Sequence, residues 1–113
     1  DEMSEVEKIV ENTIEIAPDL AGIFVVSGGQ AGVCKAMQNL NMETRPYVIG
    51  YDVTPTNIKA LKEGTYDFLI DQEGFEQGYR PPHLLYNMIR KGEKIEKFKY
   101  AYTDISIKTK YNL

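Results

Sequence analysis

Three short apolar runs, each followed by a helix-forming stretch, constrain the fold of this chain more than any other feature. The runs are Ala21–Val26, Tyr47–Tyr51 and Tyr66–Ile70. Uninterrupted β-branched and aromatic runs of this length are typical of buried strands in a parallel sheet, and the first run is predicted to be buried on both faces. A helix precedes the first run, and Phe98–Ile107 is predicted to form a final strand. This alternation predicts an α/β fold with a mainly parallel sheet, right-handed crossovers and helices on both faces.

The limits of the predicted helices come from capping residues and prolines. Thr54 and Pro55 favour a helix start, since threonine caps helices and proline fits the first helical position. Gly64 favours the end of that helix. The following helix should span 74–90, but Pro81 and Pro82 fall inside it. Because proline lacks an amide hydrogen and clashes with the preceding turn, we expect a break or kink there.

Composition excludes several classes of function. The 113 residues suffice for a single domain, and no apolar run approaches the ~20 residues of a membrane helix. A net charge of -4 disfavours nucleic-acid binding by this segment. The single cysteine, Cys34, excludes an internal disulfide, and with the single His83 it forms no zinc-binding or nucleophilic pattern. We therefore expect no metal, and the leading hypothesis given below is a non-enzymatic one that needs no cofactor.

Polar residues follow each of the three predicted strands. Ser27 with Gly28 follows the first, Asp52 the second, and Gln72 the third. In parallel α/β sheets, ligands bind outside the carboxyl ends of the strands. A carboxylate accepts hydroxyl hydrogen bonds, while an amide both donates and accepts them. This combination predicts a site for a polyhydroxyl ligand such as a sugar. Taken singly, Asp52 could instead cap the following helix, and Gln72 could instead hydrogen-bond to backbone groups of its loop.

The glycine-rich turn Ser27–Gly32 allows a different interpretation. It joins a strand to a helix and differs by one glycine from a dinucleotide-binding fingerprint. Asp52 follows Gly32 by about 20 residues, where a ribose-binding acid would stand. The first glycine of the fingerprint, which forms the tight turn beneath a pyrophosphate, is absent. A dinucleotide-binding enzyme fragment is therefore the least favoured of three hypotheses. The two favoured hypotheses, given below, are sugar-binding proteins.

Longer motifs in the second half of the chain resemble one known family. These are Gly50–Pro55 (GYDVTP), Ile58–Gly64 (IKALKEG) and Phe68–Gln72 (FLIDQ), followed by Gln77-Gly78. They resemble the C-terminal lobe of type I periplasmic-binding-protein folds. More narrowly, the chain is similar to the sugar-sensing domain of lactose-repressor (LacI) type transcriptional regulators. Ala17–Phe24 and Thr103–Lys108 resemble that family's entry to the central strand and its last strand.

The resemblance implies a role and a set of contacts. Two lobes of such proteins close on a ligand like a clamshell, and Asp52 and Gln72 are implied to contact ligand hydroxyls. Ser27 and Gly28 stand where the family usually has Asn-Asp, which suggests a ligand other than a standard monosaccharide. The leading hypothesis is a fragment of a cytoplasmic LacI-type regulator that senses a small effector and binds DNA through a separate N-terminal domain. The alternative is a lobe of an extracytoplasmic sugar-binding protein of an ABC transporter.

The resemblance also implies that residues 1–113 form a single, partial C-terminal lobe. The opposite lobe and the first two strands of this lobe have no counterpart in the sequence. Ala21–Val26 would then lack a neighbouring strand on one side, and uncovered strand edges tend to pair with other chains. We therefore expect a homodimer or marginal stability, and weak ligand binding by half of a clamshell.

Overall fold

The computed structural model describes residues 2–41, 43–94 and 100–113, and it shows the predicted alternation of helices and strands. In chain order the elements are α1 (Glu2–Ile16), β1 (Gly22–Phe24), α2 (Gln30–Gln38), β2 (Tyr47–Tyr51), α3 (Pro55–Lys62), β3 (Phe68–Asp71), α4 (Gly74–Lys91) and β4 (Ser106–Lys108). The predicted α/β class is confirmed.

The strands form a 4-stranded sheet in the order β1-β2-β3-β4. The first three strands are parallel, with Ile23 beside Val48 and Gly50 beside Leu69. The fourth strand is antiparallel to β3, so the sheet is mixed at this edge. The strand predicted for Phe98–Ile107 is much shorter, because regular pairing covers only Ser106–Lys108. Phe98 itself lies outside the described residues.

A single hydrophobic core lies between one face of the sheet and α1, α2 and α3. Val48 and Leu69 point from β2 and β3 into this core and are fully buried. Val10, Met37 and Leu61 meet them from the three helices. Burial of such side chains contributes roughly 1.5–3 kcal/mol each. This one-sided core holds β2 and β3 in place and thereby positions the loops that follow them.

The opposite face of the sheet is apolar but largely exposed. Phe24 is 50% exposed and Tyr47 65% exposed, and Phe68 and Ile107 are also exposed on this face. The prediction that the first strand is buried on both faces is therefore wrong. It is an edge strand whose buried side chains face only α1–α3, because among the described residues no helix packs over its other face.

The fourth helix extends away from the core. None of its residues is buried, and the longest dimension of the chain is 59 Å. It runs without interruption through Pro81 and Pro82, so the predicted break is wrong. The prolines leave the carbonyls of Gln77 and Gly78 without helical partners. Both residues are exposed, so water can satisfy these carbonyls at little cost.

Buried polar contacts lock the amino ends of β2 and β3 together. The Arg45 guanidinium donates to both carboxylate oxygens of Asp67 at 2.9 and 3.0 Å. The same carboxylate accepts a hydrogen bond from the Val48 amide at 2.8 Å. Since the Arg45 side chain is 6% exposed, this pair is largely removed from solvent. It sets the register of the two strands at the edge opposite the polar residues predicted to bind ligand.

Candidate functional site

The polar residues predicted to share one edge of the sheet do lie around one cavity. The cavity has a volume of about 570 Å³ and opens at the carboxyl ends of β1, β2 and β3. Its lining consists of Val26, Ser27, Gly28, Gln30, Tyr51, Asp52 and Gln72. All four residues named from the sequence are therefore brought together. The cavity is open to solvent, as expected for one wall of a larger site.

Asp52 and Gln72 form the polar centre of this cavity. The Gln72 side-chain amide donates to Asp52 Oδ1 at 3.2 Å. The Gln72 backbone carbonyl in turn accepts from Gln77 Nε2 at 2.7 Å and from Thr103 Oγ1 at 3.1 Å. These bonds orient the Asp52 carboxylate and the Gln72 amide toward each other. The second carboxylate oxygen and the amide oxygen remain as acceptors, a set that suits ligand hydroxyl groups.

The backbone of Asp52 adopts a conformation that is rare for a residue with a side chain. Its φ is 70°, in the left-handed region. The Asp52 amide donates to the Ile70 carbonyl at 2.9 Å, continuing the ladder between β2 and β3. Glu73, after β3, is the other described non-glycine residue with positive φ. Such strained residues cluster at functional sites, where the surrounding structure holds them in place.

The side-chain amides of Gln30 and Asn57 hold the backbone on either side of Asp52 by donating hydrogen bonds to backbone carbonyls. Gln30, at the start of α2, donates to the Tyr51 carbonyl at 3.1 Å. Asn57, in the first turns of α3, donates from Nδ2 to the Tyr51 and Asp52 carbonyls, both at 2.9 Å. Asn57 is 1% exposed. The loop after β2 is therefore tied to the helices on both sides of it.

Ser27 and Gly28 form the exposed rim of the cavity after β1. The glycines that follow have structural roles. Gly29 has a φ of 86° and leads into α2. A Cβ on Gly32 would lie 2.5 Å from the Met3 carbonyl oxygen, so this glycine permits α1 and α2 to pack closely. Packing thus accounts for the last glycine of the near-fingerprint, with no need for a bound pyrophosphate.

An aromatic side chain supplies the apolar wall. Tyr51 is half-buried and lines the cavity beside Asp52. Its ring packs against Phe24 with centroids 5.5 Å apart. Ligand pockets commonly combine aromatic walls with a few polar groups that set orientation. The cavity therefore offers both types of surface that a sugar ring presents.

The described part of the chain holds no group of three or more His, Cys, Asp or Glu residues arranged to bind a metal ion. His83 lies on α4 against the Tyr79 ring, outside the cavity.

Burial raises the pKa of the Cys34 thiol and of the nearby Tyr66 hydroxyl, both in the core. No helix within 2–41, 43–94 and 100–113 has the length and apolarity needed to cross a membrane.

Sequence reasoning missed three residues of the site: Gln30, Tyr51 and Asn57. Asn57 had a detectable signal, because it shares a helical face with Ala60 and Leu61, both buried. A polar residue on an apolar helix face usually serves a buried hydrogen-bonding need. Gln30 and Tyr51 carried no comparable signal, since each occupies an ordinary position at the end of a regular element.

Comparison with known proteins identifies relatives of this chain. Residues 1–94 match the family described as periplasmic binding protein domain. The xylose/arabinose-binding protein XylF of Sulfolobus acidocaldarius is 29% identical over 90 residues, which cover 74% of this chain and 22% of that protein.

Two solved structures share the fold over nearly the whole chain. The glucose-galactose binding protein GanP of Geobacillus stearothermophilus superposes with a TM-score of 0.82 and 22% identity, covering 98% of this chain and 39% of GanP. A Bacteroides fragilis protein described as a LacI transcriptional regulator superposes with a TM-score of 0.80 and 24% identity, covering 94% of this chain and 36% of that protein. The type I periplasmic-binding-protein fold expected from the motifs is thus confirmed.

The relatives differ from one another in function, and each is much longer than this chain. XylF and GanP are described as sugar-binding proteins, and the Bacteroides fragilis protein as a transcriptional regulator. The chain spans about a fifth of the curated relative's length and less than two fifths of each solved structure. Both sugar-binding proteins and a regulator occur among the relatives, so the LacI assignment is supported only at the level of the shared fold.

Proposed function

Because this chain belongs to the periplasmic binding protein domain family, we propose that it binds a sugar at the carboxyl edge of its sheet. The observation that carries the proposal is the hydrogen-bonded Asp52–Gln72 pair, which lies beside Ser27, Gly28 and Tyr51 in a single open cavity. The pair offers oriented acceptors to hydroxyl groups, and Tyr51 offers an apolar surface. The xylose/arabinose-binding relative favours a monosaccharide over the non-standard ligand that Ser27 and Gly28 suggest.

The proposal includes a second lobe that completes the site. The cavity is a single open wall, and the chain aligns with only 39% of GanP. We propose that residues 1–113 form part of one lobe, and that the remaining ligand contacts come from the facing lobe. Binding to this chain alone is accordingly expected to be weak, because half of the hydrogen-bonding groups of the sugar stay in water.

Two parent proteins are compatible with this site. A transport receptor is favoured by the curated relative and by GanP, both described as sugar-binding proteins. A LacI-type regulator is the second candidate, supported by the Bacteroides fragilis structure and by the Gly50–Gln72 motifs. The transport receptor would work outside the cytoplasm. The regulator would work inside it, with ligand favouring one arrangement of the lobes and DNA bound by another domain.

An NMR titration of this chain with D-xylose, D-arabinose, D-glucose and D-galactose tests the proposal. We expect at least one sugar to bind with a dissociation constant in the millimolar range. Asp52→Ala and Gln72→Ala should each weaken binding about tenfold, the effect of losing one or two hydrogen bonds to hydroxyls.

Matched controls are available on exposed parts of the chain. Asp19→Ala removes a carboxylate and Gln38→Ala removes an amide, both on exposed residues away from the cavity. These variants should bind sugar as the wild type does. Unchanged affinity in both site variants would contradict the site, and binding of NAD that is lost in Asp52→Ala would support the dinucleotide hypothesis instead.

A further inference from the structure

Asn57 is a polar residue that is almost fully buried. It lies on the core-facing side of α3, one turn before Ala60 and Leu61. Its backbone amide donates to Thr54 Oγ1 at 3.2 Å, as part of the helix cap. Its side-chain nitrogen makes no further contribution to the cap. Both hydrogen bonds of this nitrogen go instead to the loop after β2, to the carbonyls of Tyr51 and Asp52.

Those two carbonyls flank the strained residue. The Tyr51 carbonyl belongs to the peptide that precedes Asp52, and the Asp52 carbonyl to the peptide that follows it. Orienting both peptides determines φ and ψ at Asp52, which has a φ of 70°. Aspartate enters this region more readily than most residues with a side chain but does not favour it, so contacts with its two peptides stabilise it there. Asn57 is the described side chain that contacts both peptides.

We propose that Asn57 is the positioning residue that holds Asp52 in the left-handed conformation and thereby aims its carboxylate into the cavity. The inference rests on the proposed function, because it assigns a role toward the same sugar site. Asn57 does not line the cavity and is too deeply buried to touch a ligand. Its influence on binding must therefore pass through the backbone of Asp52.

The size of the effect follows from the population of the competent conformation. Without the two bonds from Asn57, Asp52 should relax toward negative φ, and the left-handed fraction should fall about tenfold. The apparent dissociation constant rises in proportion as the competent fraction falls. We therefore expect Asn57→Leu, which is similar in size but has no donor, to weaken sugar binding about tenfold.

The control is Ala60→Gly on the same helix. It destabilises α3 through the backbone while leaving the bonds to Tyr51 and Asp52 intact. The affinity for D-arabinose and D-galactose should be unchanged in this control and lowered in Asn57→Leu. Asn57→Ser, which retains one hydroxyl donor, should fall between the two and serves if the leucine variant does not fold.

A second readout needs no sugar. Three-bond NMR couplings report the sign of φ at Asp52 directly, and we expect it to be positive in the wild type and Ala60→Gly but not in Asn57→Leu. An Asp52→Gly background adds a further check, since glycine takes positive φ freely. There, Asn57→Leu should lower the urea midpoint by less than half as much as it does in the wild type.

The outcomes separate the two proposals. If no sugar binds the wild type but φ at Asp52 changes sign in Asn57→Leu, the proposed function fails and the positioning role stands. If sugar binds and both the sign of φ and the affinity survive in Asn57→Leu, the positioning role is overturned and the proposed function stands. Equal loss of affinity in Ala60→Gly and Asn57→Leu would also overturn it, because general destabilisation would then explain both.

Discussion

At the scale of single residues, the proposed site centres on a carboxylate whose residue has a left-handed backbone conformation. Asp52 has positive φ at the end of β2, and its side chain pairs with Gln72 across the next strand end. Glycine would relieve the strain but would remove the carboxylate. Retaining aspartate there costs stability, which is a common feature of binding residues.

The strain at Asp52 predicts the relative stability of two variants. Both Asp52→Gly and Asp52→Ala lose the carboxylate, but only alanine retains a Cβ that disfavours positive φ. We expect Asp52→Gly to be more stable than Asp52→Ala by about 1 kcal/mol in urea unfolding. An alanine variant as stable as the glycine variant would show that this position carries no left-handed strain.

A second prediction concerns Tyr66 and alkaline pH. Burial raises the pKa of Tyr66 above its ordinary value of 10.0, and that of Cys34 above 9.0. A raised pKa in the folded state means that stability is fully present below the ordinary pKa and is lost as pH rises past it. The free energy of unfolding should thus decline above about pH 10, at up to about 1.4 kcal/mol per pH unit from Tyr66.

The Tyr66→Phe variant isolates this contribution. It should show a shallower decline above about pH 10 than the wild type, because phenylalanine has no proton to lose. Tyr111→Phe, at an exposed tyrosine, should follow the wild-type curve. A Tyr66→Phe curve that matches the wild type at every pH would contradict the assignment.

At the scale of elements, the strands and helices are placed by one-sided packing and by close approach of α1 to α2. Gly32 lies where these helices meet, and a Cβ there would contact the Met3 carbonyl oxygen and the Val6 side chain. Gly78 lies inside α4 with no atom within 4 Å of the position of its missing Cβ. The two glycines therefore serve different needs, although both lie in helices.

Alanine at these two positions should have opposite effects. Gly32→Ala should destabilise the protein by about 1–3 kcal/mol, because backbone must move to admit the methyl group. Gly78→Ala should stabilise α4 by about 0.5–1 kcal/mol through helix propensity. Circular dichroism during thermal unfolding measures both. A stabilising Gly32→Ala would be incompatible with the observed packing of α1 against α2.

Local patterns allowed much of this architecture to be predicted. The runs of apolar residues located β1, β2 and β3, and Thr54, Pro55 and Gly64 correctly marked the ends of α3. The direction of β4 was not predictable, because it depends on the path of the chain after α4. The intact α4 was missed because local sequence does not show whether its freed carbonyls reach water.

The candidate site was predictable in part for the same reason. Strand ends place Ser27, Asp52 and Gln72 at one edge whatever the details of packing, so their proximity followed from topology. The left-handed backbone of Asp52 and the role of Asn57 did not follow. Both depend on hydrogen bonds between a loop and a helix, and such pairings are invisible to periodicity and composition.

At the scale of the whole molecule, the part of the chain that the structure describes leaves two apolar surfaces exposed. One is the open face of the sheet, which includes Phe24 and Phe68. The other is a stripe on α4, with exposed apolar residues recurring on one side of the helix at Phe75, Tyr79, Tyr86 and Ile89. Exposed apolar surface of this extent is typical of interaction sites.

We also propose that isolated chains associate through the β1 edge and the open face beside it. Analytical ultracentrifugation should show a concentration-dependent dimer, and unfolding should show marginal stability. Phe24→Lys places a charge on this exposed edge and should shift the equilibrium toward monomer. Tyr111→Lys, at an exposed position near the carboxyl terminus, is the control. A wild-type monomer of high thermal stability would contradict the proposal.

The most direct test of sugar binding at the carboxyl edge is to map amide chemical shifts of the chain during titration with each of D-xylose, D-arabinose, D-glucose and D-galactose. With the sugar that binds, we expect the shifts to change at Ser27, Gly28, Asp52 and Gln72, around the cavity at this edge. A second cavity of about 350 Å³ lies at the opposite edge, beside Arg45, Tyr47 and Tyr111. Shift changes confined to that cavity, or no shift changes with any of the four sugars, would rule out a sugar site at the carboxyl edge.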